Sequence, residues 1–557
     1  MVRWFELHSG ASMRAIRNRR AFVAGLAGAL VCARRLAQGS SSTKVHELRI
    51  DAERLQHSLE ELSTFGRPVG GSFAAGVSRI AYSDADVAGR GYVLGLLRTA
   101  GLEPKVDAAG NIRALRGGSV PSLKPIAFGS HIDSVPNGGN FDGDLGSLAA
   151  VEVVQTLRDH AIRTRHPLEV MIWSNEEGGP LGSQIAVDGP QAADLERTFN
   201  GTPMREGLAR IGGNAAQLDA ARLAPGLIRC YLELHIEQGG MLEKAGVPIG
   251  VVDGIVSIDE YTVEIRGIAN HAGTTPMPER HNALLAAAKL IEAVQEEVTR
   301  TPGRQVGTVG QLTVTPNAPN VIPGFVRHTI EFRDLSESTL ARLGAAIRER
   351  ASQIARETGT EITIKQVVHD PPAVAAPEIQ QQIEAAAASL GLRTMHLPSG
   401  AGHDAQFLAK IAPMGMIFVP SVGGISHSPK EFTRWSDCAN GANVLLQTIL
   451  RVDAASEPER HTTDVGLHFQ SIPGTAYQLI QRGHQEDADQ QSREQPAHDH
   501  QGKRPLRVGA NTGGQRDRQQ PERRHQRGHH DRSQSQNRAL ANGLAEVGTV
   551  AAQFVDV

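Results

Sequence analysis

The stretch Gly129-Ser130-His131-Ile132-Asp133-Ser134-Val135-Pro136-Asn137-Gly138-Gly139-Asn140-Phe141-Asp142-Gly143 decides how this chain is read. An apolar run at 125–128 leads into it as a buried strand. The strand hands over a His-x-Asp pair. A Gly/Asn/Pro loop then carries a second acid, Asp142, and helical spacing takes over at 146–159. Strand, loop and helix in this order build open α/β sheets, which bind ligands at the carboxyl ends of their strands. Imidazole beside carboxylate is the ligand mix of zinc or a similar divalent cation. Alone, the pair only points that way.

The same arrangement recurs outward from this stretch. A buried strand at 168–173 ends in Ser174-Asn175-Glu176-Glu177-Gly178-Gly179. Two adjacent carboxylates cannot both enter a core unpaired. One can bind metal while its neighbour faces the reacting water. A solvated acidic turn is the commoner reading of an isolated Glu-Glu pair. A strand at 229–234 delivers His235 in His235-Ile236-Glu237-Gln238-Gly239, and one at 415–419 precedes Ile425-Ser426-His427-Ser428-Pro429-Lys430-Glu431. A single strand-end histidine is usually structural, but three strand ends in a row carrying His, Glu-Glu and His are far better read as a site, and His427 is another strand-end histidine. Ser399-Gly400-Ala401-Gly402-His403-Asp404 opens a further helix.

Helices are expected at 45–64 and 84–100, the second capped by Ser83, with a hairpin turn at 107–111 and a closing helix at 436–450. Between 259 and 371 the pattern changes to strand 261–265, helix 283–298, strands 307–314 and 324–332, helix 337–358 and strand 361–367. That β-α-β-β-α-β order is the ferredoxin-like unit. Its free sheet edge and two helices suit dimerisation. The expected fold class is therefore α/β: a catalytic domain with a central sheet, split into 45–258 and 372–453, around an inserted lid domain at 259–371.

Composition narrows the function. The 557 residues exceed one ordinary domain, and 40% hydrophobic with 21% charged residues fits a globular enzyme. A net charge of −3 argues against a general nucleic-acid binder. The three cysteines form no CxxC, so any metal is held by His, Asp and Glu. No apolar run reaches the roughly 18–20 residues of a membrane span. Residues 1–44 carry Asn18-Arg19-Arg20-Ala21-Phe22-Val23, a twin-arginine pattern before a mildly apolar run, which implies export to the periplasm or beyond; the alternative is a cytoplasmic protein with a chance Arg pair. Residues 454–557 are dominated by polar residues and Gly, with no aromatic between 481 and 540, and are expected to be disordered or an aberrant tail.

Taken together, His131-x-Asp133, Gly139-Asn-Phe-Asp142-Gly, Asn175-Glu-Glu-Gly, Leu234-His-Ile-Glu-Gln-Gly, Asn270-His-Ala-Gly-Thr-Thr-Pro-Met, Asn320-Val-Ile-Pro-Gly, Gly402-His-Asp-Ala and Ile425-Ser-His-Ser-Pro resemble the M20 metallopeptidase-like amidohydrolases. Within them the chain is similar to the hydantoinase/carbamoylase branch of N-carbamoyl-L-amino-acid hydrolases, allantoate amidohydrolases and β-ureidopropionases. The resemblance runs from about residue 48 to 453. It implies two divalent ions per subunit, Zn, Mn, Co or Ni. Asp142 would bridge them, with His131 and His235 completing one position and Glu177 and His427 the other. A histidine at 235, where related peptidases usually carry an acid, fits the carbamoylase branch. The resemblance further implies Asp133 as the group orienting His131, Glu176 as general base, and His271 as an oxyanion donor reaching from the lid domain of a homodimer partner. Asn320 and Arg333 would clamp a small substrate's carboxylate, with Gln238 and His403 bordering it.

The implied reaction is hydrolysis of a linear, non-peptide C–N bond, removing the carbamoyl group of an N-carbamoyl-L-amino acid. Allantoate or β-ureidopropionate hydrolysis is the alternative, and a degenerate metal-binding non-enzyme is the alternative of another class. There are two departures from the family pattern. The Ser-Arg-Phe-type segment expected after Asn175-Glu-Glu-Gly is replaced by the shorter Gly178-Gly-Pro-Leu-Gly-Ser183, and Asn282 stands where an acid is usual.

Overall fold

The computed structural model describes residues 47–191, 194–199 and 201–455. The chain divides into two units, Met1–Ser492 and Arg493–Val557, and every described residue lies in the first. The expected export segment and all but the first two residues of the 454–557 tail fall outside the described residues.

The first helix, α1 (Ala52–Leu62), starts later than its apolar spacing implies because the Asp51 side chain caps it, accepting the Arg54 N–H. Leu48 and Ile50 are still buried, but as an extended lead-in; the Ile50 N–H donates to Asn443 Oδ1 at 2.9 Å. Helix α2 (Asp84–Thr99) is capped by Ser83, as its sequence implies. Strands β1 (Lys105–Val106) and β2 (Ile112–Arg116) flank the expected turn, where Asp107 Oδ1 accepts the N–H groups of Ala109 and Asn111.

Then come β3 (Ile126–His131), α3 (Asp144–Asp159), β4 (Leu168–Trp173), α4 (Leu181–Asp188), β5 (Cys230–Ile236) and β6 (Ile249–Ile255). The inserted unit supplies β7 (Ser257–Arg266), α5 (Ala283–Arg300), β8 (Val306–Thr308), β9 (Leu312–Thr315), β10 (Phe325–Asp334), α6 (Glu337–Thr358) and β11 (Glu361–Asp370). The chain returns through β12 (Ala373–Val374), α7 (Pro377–Ser389), β13 (Thr394–Ser399), α8 (Ala405–Leu408), β14 (Met414–Val419) and α9 (Trp435–Ala454).

The main sheet has nine strands in the order β1-β2-β4-β3-β5-β14-β6-β12, with β13 also on β6. Its four central strands, β4, β3, β5 and β14, run parallel. They are buried on both faces: Phe128 and Val170 join the core beneath α1, α3 and α9, while Ala127 and Met171 join the one beneath α4 and α8. Double burial explains why these strands read as continuous apolar runs rather than alternating ones. The inserted unit is a separate antiparallel sheet, β8-β10-β7-β11 with β9 on β10, and its core packs Val263, Val326 and Ile330 against Leu290 of α5 and Leu343 of α6. This is the ferredoxin-like order; the single strand expected at 307–314 is broken into β8 and β9, each pairing β10.

Helix α3 approaches the sheet through Gly146, where a Cβ would come 2.1 Å from the Leu234 carbonyl oxygen. Backbone cannot yield there, so Gly146→Ala is expected to destabilise the protein by about 1–3 kcal/mol. A denaturant titration reads this as a lower midpoint at unchanged slope; an unchanged midpoint would mean that α3 can step back from the sheet freely.

Candidate metal centre

The adjacency of four parallel strands brings the sequence motifs together. His131 ends β3, His235 sits in the last turn of the β5 ladder opposite Phe418 of β14, Glu176 and Glu177 follow β4, and His427 follows β14. Asp142 projects among them from the loop before α3. Its Oδ1 lies 3.1 Å from His235 Nε2 and 3.6 Å from His131 Nε2, and its Oδ2 lies 3.3 Å from His427 Nε2. Glu177 Oε2 is 3.5 Å from the same His427 nitrogen. One carboxylate thus turns its two oxygens toward two different sets of partners. Within each set, His131/Asp142/His235 and Asp142/Glu177/His427, the ligand atoms all lie within 4.8 Å of one another.

The residues fit divalent ions on three grounds. First, the tautomers are set: the ring Nδ1 of His131 faces the Asp133 carbonyl at 3.0 Å and that of His235 faces the Ile236 carbonyl at 2.9 Å, so each Nδ1–H donates and each Nε2 faces the cluster, that of His235 also accepting the Gly143 N–H at 3.1 Å. Second, Glu177 Oε1 and Gln238 Oε1 are buried without a hydrogen-bond partner. Third, the field favours cations. Against the cost of burial, Glu176 and Asp142 raise His131 well above the ordinary imidazole range, and Asp142 raises His235. The hydrogen bond to Asp142 lifts His427 to about 9. Burial pushes Glu177 up to about 8, helped by Asp142. A metal would take the place of these protons.

Backbone conformation aims the side chains. Asn175, Gln238 and His427 all adopt left-handed φ, at 53°, 59° and 51°. Non-glycine residues there cost about 1–3 kcal/mol each and persist where the surroundings over-determine them. Gly143, at φ 67°, must be glycine for a second reason: a Cβ would meet the His131 ring at 2.4 Å.

Several expected residues are placed differently from their expected roles. The Asp133 carboxylate does not hold His131, from which it stands 3.9 Å away. Its oxygens accept the backbone N–H groups of Glu176 and Glu177, both at 3.1 Å, while its carbonyl performs the orienting task. The carboxylate thus fixes the acidic turn rather than the imidazole. His403 is 1% exposed, bonds to Ser399 Oγ at 2.8 Å and packs its ring 4.5 Å from that of His235. It backs a candidate ligand instead of bordering the mouth. Gln238 does reach the cluster, donating to Asp142 Oδ2 at 2.8 Å.

The inserted unit's residues do not contact the cluster within this chain. His271 and Asn320 are exposed; His271 Nδ1 accepts the N–H groups of Gly273 and Thr274, and the Asn320 carbonyl accepts that of Ala272. Arg333 bridges toward the catalytic part, with Nη1 on the Gly400 carbonyl and Nε on Glu331, both at 2.7 Å.

Sequence reasoning gave no role to three further buried acids, Asp404, Glu233 and Glu431, the first of which bears on Glu176. Burial pushes Glu176 well above the carboxylate range, opposed by His131 and helped by Asp404. Asp404 takes the Ser183 hydroxyl at 2.5 Å. Glu233 accepts Ser130 Oγ at 2.7 Å and the Ala405 N–H at 3.2 Å beneath His235. Glu431 binds the Asp142 loop. The signal the sequence held was that Asp404 and Glu431 stand in quoted motifs and that Glu233 is an acid inside a buried strand. The shortened turn after Glu177 is met by Arg197, which donates to the Gly178 carbonyl at 2.8 Å and lies over Phe199.

Comparison with known proteins agrees with this geometry. The pattern that defines peptidase family M20/M25/M40 matches residues 127–451. The chain is 41% identical to an N-carbamoyl-L-amino acid amidohydrolase of Geobacillus stearothermophilus, over 72% of this chain and 98% of that protein. It is 36% identical to a ureidoglycolate hydrolase of Arabidopsis thaliana, over 74% of this chain and 89% of that one. Among solved structures, a hydantoinase/carbamoylase family amidase from Burkholderia multivorans is 37% identical, covers 73% of this chain and 99% of its own, and superposes with a TM-score of 0.68. A chain with this site, this sheet and this degree of identity belongs to the metal-dependent peptidase family M20/M25/M40, in its hydantoinase/carbamoylase branch.

Proposed function

We propose that this protein is a two-metal hydrolase that removes the carbamoyl group of N-carbamoyl-L-amino acids. The observation that carries the reading is Asp142, whose two oxygens face two separate ligand sets. His131 and His235 would hold one ion with Asp142; Glu177 and His427 would hold the other, each Zn, Mn, Co or Ni. Such ions, when bound, acidify water and polarise the scissile carbonyl.

The chain's own residues do the rest. Glu176, buried beside Glu177 and 3.7 Å from His131, takes a proton from the attacking water as it adds to the ureido carbon. It returns that proton to the amino-acid nitrogen as the C–N bond breaks. The released carbamate decomposes to ammonia and carbon dioxide. Arg333 offers a guanidinium to the substrate carboxylate. His271 and Asn320, exposed and unconnected to the cluster in their own chain, serve the site of a second subunit in a homodimer built through 259–371. The twin-arginine pattern at 18–23 supports export as part of the same reading.

An ammonia-release screen tests this. Metal-reconstituted protein is expected to turn over N-carbamoyl-L-amino acids faster than N-carbamoyl-β-alanine, allantoate or ureidoglycolate. Faster release from allantoate or ureidoglycolate moves the protein to the second reading, which the Arabidopsis relative favours. No release from any of them, with dipeptides cleaved instead, overturns the carbamoylase assignment.

A further inference from the structure

One carboxylate outside the ligand set ties together the two segments that carry Asp142 and His427. Glu431 is 3% exposed. Its Oε1 accepts the backbone N–H groups of Phe141 at 2.9 Å and Asp142 at 3.1 Å. Its Oε2 lies 2.8 Å from the hydroxyl of Ser426, the residue before His427, and that hydroxyl is also 3.0 Å from Asp142 Oδ2. The loop before Asp142 is shaped to admit this side chain: a Cβ at Gly139 would come 2.0 Å from Glu431 Oε1.

We infer that Glu431 is a positioning residue of the metal centre, setting the affinity for the divalent cation taken by Asp142, Glu177 and His427. The inference rests on the two-metal reading above. The Ser426 hydroxyl has one hydrogen, which can serve Asp142 or Glu431 but not both. Glu431 Oε2 and Asp142 Oδ2 both face that hydroxyl, so the segment before His427 is tied to both side chains. At the same time Oε1 holds two consecutive backbone N–H groups, which leaves the Asp142 Cα one place to stand. His427 is held less directly, through Ser426. His131 and His235 take no part in this network, so the position they share with Asp142 depends less on Glu431 than the other does.

Two replacements separate placement from charge. Glu431→Asp keeps the negative charge but is one methylene too short to span both segments. Glu431→Gln keeps an acceptor for the two N–H groups, and its amide can donate to Ser426 Oγ. Metal-free protein is titrated with Co(II), followed by calorimetry and by visible absorption. The wild type is expected to take up two ions. The Asp variant should keep the first and bind the second ~10–100-fold more weakly, the range for lost outer partners of metal ligands. The Gln variant should stay close to wild type. Gly139→Ala, which pushes the carboxylate aside without removing it, should repeat the Asp result if the Asp variant fails to fold.

An Asp or Gly139→Ala variant that binds both ions at wild-type affinity overturns the assignment. So does a Gln variant that loses the second ion as badly as the Asp variant, because charge would then be the cause. A shift in thermal midpoint with unchanged Co(II) affinity overturns it too, leaving a structural role alone. A wild type that takes up only one ion overturns the two-metal reading itself, which is a separate failure.

Discussion

Glu176→Gln is expected to retain both metal ions and to lose turnover, with kcat falling by ~10²–10⁴-fold, the usual contribution of a placed general base. The amide has the size of the carboxylate, and the turn that carries it is held by backbone rather than by the Glu176 side chain. The Asp133 carboxylate accepts the Glu176 and Glu177 N–H groups, and the Gly179 N–H returns to the Glu176 carbonyl at 2.8 Å. Placement therefore survives the substitution, and only proton transfer is lost. KM should change little, because the missing interaction belongs to the transition state. The measurement pairs steady-state kinetics under metal saturation with calorimetric metal titration. A variant with near-wild-type kcat removes Glu176 from the base role; one that no longer binds metal makes it a ligand.

The second large effect is expected at Asp142. Asp142→Ala removes the one group shared by both candidate positions, so metal stoichiometry should fall at both and activity should not return with excess Zn, Mn, Co or Ni. His427→Ala should cost only one ion. The contrast follows from the geometry: Asp142 Oδ1 serves His131 and His235, whereas Oδ2 serves His427. Removal of Asp142 also strips the counter-charge from His131 and His235, whose raised proton affinities depend in part on it. Metal analysis of purified protein, before and after chelation and reloading, decides the matter. Two tightly held ions in Asp142→Ala protein would sink the bridging role.

Much of this site was legible along the chain because His131, His235 and Glu177 lie at or just beyond strand ends, and Asp142 and His427 in the loops that follow such strands. An apolar run that stops at His, Glu-Glu or His is a local pattern, and local patterns survive translation into structure. The same holds for Ser83 as a helix cap and for the Asp107 turn. The start of α1 was misread because apolar residues recur before it; Leu48 and Ile50 are buried whether helical or extended, and periodicity cannot tell these apart. The role of Asp133 was misread for a related reason. Its spacing places it beside His131, but its carboxylate is recruited by a turn 43 and 44 residues away.

What the sequence alone determined is which side chains could carry the chemistry, on which strand ends they sit, and that a ferredoxin-like unit interrupts the catalytic domain. These follow from apolar spacing and turn residues, which act over a few positions. Only the tertiary structure decided that β4, β3, β5 and β14 are neighbours, that Asp142 divides its oxygens between two ligand sets, and that His403 lies behind His235. It also brought Glu431 to the Asp142 loop, across 289 and 290 residues of chain. The physical reason is range. Lateral strand order and buried hydrogen bonds join segments far apart in sequence, and the pairing of a buried carboxylate depends on whichever donors that packing brings to it.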